Sequence, residues 1–259
     1  MSDQKTKSKV AKCLLAGGLI VAGMNPAVSL GQEAVTPSPE KVSEPPVVMF
    51  NTFHLKRGEE TSFLTTMRTN ARHARKEKGN IIFDVYQPED GASDLYLVER
   101  WSSQRILDKH MQTAPLKAVM EHVKTATTEA PNLEYLKEVS SPLLPKAISS
   151  PAATRNVVVT LFAKPERQSD LILALQTVTE HSRSAPGNLS FNVFQDVSDA
   201  NRFVIVERWV SVEAHEKHLT QPYIQPLQAA FEQDLREPAV NGRLLLKDVF
   251  ASESVATTR

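Results

Sequence analysis

Much of this 259-residue chain is written twice, and that repeat constrains its fold more than any other feature. Residues 95–101 read LYLVERW, and residues 203–209 read FVIVERW, 108 positions later. Sliding the sequence by that offset aligns 52–110 with 160–218 without a gap, and 18 of those 59 positions are identical. Identical pairs include Lys56/Lys164, His73/His181, Arg75/Arg183, Gly79/Gly187, Glu99/Glu207, Trp101/Trp209 and His110/His218. Two long copies point to a duplicated domain, because a solenoid needs three or more stacked units to bury a core.

Each copy shows the same succession of periods. A β-branched apolar run opens it, Val47–His54 or Val157–Phe162, and reads as a strand. A helix follows, with the apolar stripe Phe63, Met67, Ala71, Ala74 in one copy and Leu171, Leu175, Val178, Ser182 in the other. Gly79 or Gly187 stands at its end, where a residue of positive φ belongs. Two strands come next, Ile81–Gln87 with Leu95–Trp101 and Leu189–Gln195 with Phe203–Trp209, each pair joined by a polar hairpin connection. Ser103 and Ser211 are placed to cap a second helix, which Pro115 and Pro222 interrupt. Leu133–Val139 and Arg243–Phe250 close the copies as last strands. The order β-α-β-β-α-β predicts an α+β fold made of two ferredoxin-like modules with antiparallel sheets. They span 47–139 and 155–251, with a linker at 140–154 and a C-terminal tail at 252–259.

The N-terminus belongs to another class of sequence. Lys5, Lys7, Lys9 and Lys12 precede an apolar run from Cys13 to Met24, and Ser29 and Gly31 put small residues at −3 and −1 of a cleavage site. This predicts a signal peptide over 1–31 and a periplasmic or secreted protein; the alternative is an uncleaved N-terminal membrane anchor. Residues 32–46 hold four prolines and read as a disordered spacer. Cys13 is the sole cysteine, so the mature chain would carry no disulfide and no thiolate metal site. The chain has 30 basic and 30 acidic residues; removing four lysines and Asp3 with the signal leaves 26 against 29. That balance advertises neither nucleic acid nor an anionic membrane, and no stable membrane association is expected after cleavage.

The second copy reads EHSRSAPGNLSFNVFQD, NRFVIVERWVSVEAHEKHL and TQPY; the first reads RHARKEKGNIIFDVYQPED, DLYLVERWSSQRILDKHM and TAP. This wording resembles the antibiotic biosynthesis monooxygenase domain family, within the dimeric α+β barrel group. The resemblance implies sheets paired face to face as a barrel, normally between two identical chains. Two copies in one chain then imply an intramolecular pseudo-dimer, with a homodimer of such chains still possible. Some members of the family oxygenate quinols or polycyclic aromatics without metal or flavin. Others degrade haem, isomerise a small phosphorylated sugar derivative, or have no known activity, so the fold leaves the reaction open. The haem-degrading branch uses an Asn on the first strand, a Trp on the second helix and an axial His beyond it. Asn51 matches the first in one copy only, since Val159 replaces it in the other. The Trp position falls on His110 or His218 and the axial position on Met120 or Leu227–Gln228, with His122 out of register. That departure argues against haem cleavage.

The candidate site residues follow from position. Glu99 and Glu207 alternate onto the apolar strand face with Trp101 and Trp209, where a carboxylate is costly unless partnered. Each is either a hydrogen-bonded sheet lock or a general base whose pKa burial raises. Arg100 and Arg208 point to the opposite face and read as a solvated or helix-edge salt bridge. His110 and His218 share the inward stripe of the second helix and are candidates for proton transfer. His73 and His181 fall off the stripe and read as surface. His215 and His218 form an HxxH pair, but Leu107 stands at the first position in the other copy and no metal site is assigned. Trp101, Trp209, Phe83, Phe191, Tyr86, Phe194 and Tyr223 are candidates to line a pocket for a flat aromatic ligand. There is no P-loop, no G-x-G-x-x-G, no C-x-x-C and no G-x-S-x-G, so no cofactor is assigned. The expectation is a cofactor-independent monooxygenase acting on a small quinol or aromatic; the alternative is a non-catalytic small-molecule-binding barrel. An enclosed cavity reached by a His and a Glu favours the first reading, and a barrel filled with side chains favours the second.

Overall fold

The computed structural model describes residues 44–142, 146 and 154–250; the signal segment, most of the linker and the C-terminal tail lie outside the described residues. The first module runs β1 (Val47–His54), α1 (Glu60–Ala74), β2 (Asn80–Pro88), β3 (Asp94–Trp101), α2 (Gln104–His110), α3 (Ala114–Ala126) and β4 (Asn132–Glu138). The second runs β5 (Arg155–Phe162), α4 (Gln168–Ser184), β6 (Asn188–Asp196), β7 (Arg202–Trp209), α5 (Val212–Leu219), α6 (Gln225–Asp234) and β8 (Arg243–Asp248). Local signals act as read. Ser103 and Ser211 accept from the backbone N–H of Ile106 and Ala214, capping α2 and α5. Gly79 and Gly187 take φ of +97° and +81° in the turns into β2 and β6. Among the described residues no helix is long and apolar enough to cross a membrane.

The eight strands form one closed barrel in the order β1-β3-β2-β8-β5-β7-β6-β4. Closure depends on the last strand of each module. β4 pairs with its own β1 and with β6 of the other module, and β8 pairs with its own β5 and with β2. Closing the sheet on itself removes every edge, and it makes the two modules one barrel, the intramolecular pseudo-dimer expected from the repeat.

Strand alternation then sorts side chains into three compartments. Odd-numbered residues such as Met49, Phe53, Phe83, Leu97 and Trp101 pack outward under α1–α3, and Val157, Leu161, Phe191, Ile205 and Trp209 pack under α4–α6. Even-numbered residues turn inward and fill the barrel with Val48, Phe50, Tyr96, Val98, Val158, Phe194, Val204 and Leu246. Arg100 and Arg208 point the same way. Both are buried, at 3% and 5% exposure, which corrects the solvated role read from sequence. The face opposite the helices is the lumen of a closed barrel, so both sheet faces are dry.

These guanidinium groups are matched by carboxylates. Arg208 bonds Asp248 at 2.5 Å and Asn156 at 2.7 Å, reaches Asp84 at 3.5 Å and lies over the Tyr86 ring at 5.5 Å. Arg100 meets Glu138 at 2.9 Å, an ion pair at an angle that makes no hydrogen bond to the Glu138 carboxylate. Ion pairs join the modules, among them Arg208 with Asp84, Arg202 with Glu134 at 2.8 Å and Arg155 with Glu89 at 3.0 Å.

Candidate functional site

Each module places a carboxylate, an indole and an imidazole together between the outer sheet face and the helices. Glu99 and Trp101 are two residues apart on β3, so they share a face, and Trp101 Nε1 donates to Glu99 Oε2 at 2.9 Å. Glu207 and Trp209 repeat the bond on β7 at 2.9 Å. The helix after each strand lays a histidine flat on the indole. His110 stacks on Trp101 with centroids 4.5 Å apart, and His218 stacks on Trp209 at 4.4 Å.

Burial sets the protonation states. Both carboxylates are 6% exposed. Desolvation raises Glu99 to about 7, against the opposing hydrogen bonds from Trp101 and Asn51. It raises Glu207 to about 7 as well, against the Trp209 bond alone. The imidazoles move the other way. Desolvation and the neighbouring His215 lower His218 to about 4, and desolvation lowers His215 to about 4 with help from Arg155 and Arg243. His110 is lowered by desolvation but held back by Glu77. Near neutral pH module 2 thus holds neutral His215 and His218 beside a carboxylate whose pKa burial has raised into that range, a setting suited to proton transfer.

The rest of the two sites differs. In module 1 Asn51 Nδ2 donates to Glu99 Oε1 at 2.6 Å, so both oxygens of that carboxylate are held. Glu77 takes His110 Nδ1 at 2.7 Å, and His110 Nε2 is buried without a hydrogen-bond partner. Asn51 Oδ1 and both side-chain polar atoms of Asn70 are likewise buried and unpartnered. Module 2 has Val159, Val178 and Ala185 in place of Asn51, Asn70 and Glu77. There His218 Nδ1 pairs with the Tyr223 hydroxyl at 2.9 Å, while Nε2 of His218 and Nε2 of His215 each lie 3.9 Å from Glu207 Oε2. The HxxH pair therefore faces a carboxylate, with ring centroids 6.3 Å apart. Among the described residues no group of three or more His, Cys, Asp or Glu is arranged to hold a metal ion.

The sequence candidates separate by sheet face. Phe83 and Phe191 stand edge-on to His110 and His218, at 5.7 and 6.0 Å. Tyr86 and Phe194 belong to the barrel interior, on the other side of the sheet, and cannot line a pocket with the carboxylates. That corrects their assignment: they differ in parity from Phe83 and Phe191 by three residues. The filled barrel also closes the lumen to a ligand. Instead, an open groove of about 490 Å³ lies between α4 and α6 and reaches Tyr223. His73 is exposed on Glu77, exposed His181 stacks on Tyr223 at 5.1 Å, and His122 is bonded to Thr66 at 2.9 Å. Sequence reading missed Asn70 and Glu77. Asn70 was visible as a polar letter on the buried stripe of α1; Glu77 lies beyond the helix and gave no signal.

The family model for antibiotic biosynthesis monooxygenase matches the chain twice, at residues 46–122 and 154–230. The chain belongs to the antibiotic biosynthesis monooxygenase family. Among curated relatives, "Putative monooxygenase YcnE" of Bacillus subtilis (strain 168) is 29% identical over 75 residues, which are 29% of this chain and 79% of that one. "Uncharacterized protein sll1783" of Synechocystis (strain ATCC 27184 / PCC 6803 / Kazusa) is 32% identical over 76 residues, covering 29% of this chain and 52% of its own. Each match is about one antibiotic biosynthesis monooxygenase module in length. Two solved structures share the two-module fold. A monooxygenase-titled protein of Fusobacterium nucleatum aligns with a TM-score of 0.71 at 16% identity, over 80% of this chain and 93% of its own. A protein titled "anthrone oxidase-like" aligns at 0.56 and 16% identity, over 84% of this chain and 99% of its own. The fold of two modules in one chain is therefore an arrangement this protein shares.

Proposed function

We propose that the chain is an exported monooxygenase that oxidises a small electron-rich aromatic, such as a quinol, with molecular oxygen. The observation that carries this reading is the buried carboxylate near pKa 7 beside an indole and a neutral imidazole, on the helix-facing side of the sheet. A base in that setting removes a proton from the substrate, and the anion gives an electron to O₂. The radical pair combines to a peroxide, which loses water. Overall RH₂ + O₂ gives R=O + H₂O, with the substrate supplying all four electrons. His110, His218, Glu99 and Glu207 are the candidate groups to take such a proton, and the protein adds positioning and a dry site. The anthrone-oxidase title of a structural neighbour is in keeping with this class of substrate.

The test is oxygen uptake with a panel of hydroquinones, corrected for their uncatalysed oxidation. Wild type is expected to consume one O₂ per product and His110→Ala/His218→Ala to lose about a hundredfold or more in rate. No turnover by wild type across the panel overturns the proposal. Export is tested by the N-terminus of the mature protein, expected at Gln32. The second reading, a binding barrel without catalysis, is favoured by two observations: the barrel interior is filled with side chains, and Glu99 has both oxygens occupied by Asn51 and Trp101, as a sheet lock would.

A further inference from the structure

The two modules keep the same stacked histidine in different company, and in module 2 that company borders an open groove. Tyr223 is half-buried, bonds His218 Nδ1 through its hydroxyl and forms part of the wall of the α4–α6 groove. The groove walls are Leu173, Ala174, Thr177, Pro226 and Ala230, small or apolar surfaces that admit a planar ring. Arg167 at the groove is matched by Asp170 at 2.6 Å and Asp234 at 2.7 Å, so its charge is already answered and the groove suits a neutral ligand.

We propose that this groove is where module 2 binds a neutral, flat aromatic bearing a phenolic hydroxyl, and that Tyr223 and His218 pass the hydroxyl proton to Glu207. The inference rests on the oxygenase reading above and names where its proton leaves. The substrate hydroxyl donates to the Tyr223 oxygen. Tyr223 O–H donates to His218 Nδ1, which places the imidazole proton on Nε2, facing Glu207 Oε2. One proton leaves the substrate oxygen and one arrives on Glu207. Tyr223 ends as it began, His218 ends as its other neutral tautomer, and no electron moves in this step. The last gap is 3.9 Å, about 1 Å beyond a normal N–H···O bond, so the path closes when the carboxylate turns toward the ring.

Module 1 lacks this route. Pro115 stands where Tyr223 stands in the repeat, and it has no hydroxyl. Glu77 accepts from His110 Nδ1 and pins the proton there. Burial agrees with the assignment in module 2, since a relay histidine must stay neutral and a terminal acceptor must hold a proton near neutral pH.

The test uses the whole chain labelled with 5-fluorotryptophan. The chain has two tryptophans, so its ¹⁹F spectrum holds one reporter per module, assigned with Trp101→Phe. The probe is 1,4-naphthohydroquinone added without oxygen, so that binding is read apart from turnover. The Trp209 signal is expected to shift saturably while Trp101 stays put, and Ala174→Phe, which fills the groove from α4, weakens the apparent Kd by about tenfold or more. Tyr223→Phe is expected to bind within about threefold of wild type but to consume oxygen at least about tenfold more slowly. No shift of either signal, a shift of Trp101 alone, or unchanged binding by Ala174→Phe overturns the groove. Unchanged oxygen uptake by Tyr223→Phe overturns the relay. Oxygen uptake that persists with Ala174→Phe indifferent sinks this inference and leaves the oxygenase. A saturable Trp209 shift without oxygen uptake does the reverse, keeping the groove and removing the oxygenase.

Discussion

Trp209 and Glu207 hold each other along a single strand: two residues apart on β7, they share a face, and the indole donates to the carboxylate at 2.9 Å. Trp101 and Glu99 do the same on β3. Among the described residues no other hydrogen-bond partner of these carboxylates is common to the two modules, so the Glu-Trp bond and the histidine on the indole are the shared chemical unit of the repeat.

The first prediction concerns that carboxylate and pH. A group whose folded pKa is raised stabilises the fold fully below its unfolded pKa and loses that contribution as pH rises through the folded value. For Glu207 the window runs from about 4.5 to about 7. At 1.36 kcal/mol per unit the contribution is roughly 3 kcal/mol, lost by about pH 7. The lowered His215 and His218 act oppositely, losing stability as pH falls from 6.5 toward 4. The difference between wild type and Glu207→Gln isolates the carboxylate. Above pH 7 Glu207→Gln is expected to be the more stable, and the difference should shrink toward pH 5. Thermal melts from pH 5 to 8 check it; a constant difference would refute it.

The second concerns the barrel interior. Arg208→Met takes the cation from Asp248, leaves Asp84 to Arg75 at 3.9 Å, and is expected to cost about 3–5 kcal/mol. Asp84→Asn is expected to stay within about 1 kcal/mol, since Arg208 keeps Asp248 and Asn192 already occupies the matching place. Urea midpoints of the two variants should differ accordingly.

Glycine positions supply a third. Gly187 has φ +81°, and an added Cβ would lie 2.7 Å from the Ala214 Cβ. Gly187→Ala is expected to cost about 2 kcal/mol or more, from the backbone and the clash together. Gly58 has φ +95° but nothing within 4 Å, so Gly58→Ala should cost only about 1 kcal/mol. Equal losses would mean the contact with α5 contributes nothing.

A fourth follows from strand exchange. Cutting the connection between β4 and β5 leaves β4 bonded to β6 and β8 to β2. The two fragments are expected to elute together on native size exclusion and to part only in denaturant. Elution as two free modules would contradict the barrel.

The repeat, the element order, the helix stripes and the glycine turns were legible because each is a local property of the sequence. The direction of Arg100 and Arg208 was legible too, but its meaning was not. Whether the face opposite Glu99 is solvent or lumen depends on β4 pairing with β6 and β8 with β2, contacts that no local pattern carries. Tyr86 and Phe194 were misplaced for a different, local reason, as aromatic letters counted without their parity. Glu99 and Glu207 were visible as misfits on an apolar face. Their different partners were not, because Asn51, Glu77 and Tyr223 reach the site from other elements.

In an assembly of identical chains, one codon change alters both symmetry-related places at once. Exchanging β4 and β8 within a single polypeptide removes that obligation. Asn51 and Val159, Glu77 and Ala185, Asp84 and Asn192, and Pro115 and Tyr223 stand at matching places with unlike chemistry, each half changed without its counterpart. Fusion has thus given one ancestral sequence two independent fates inside a shared wall.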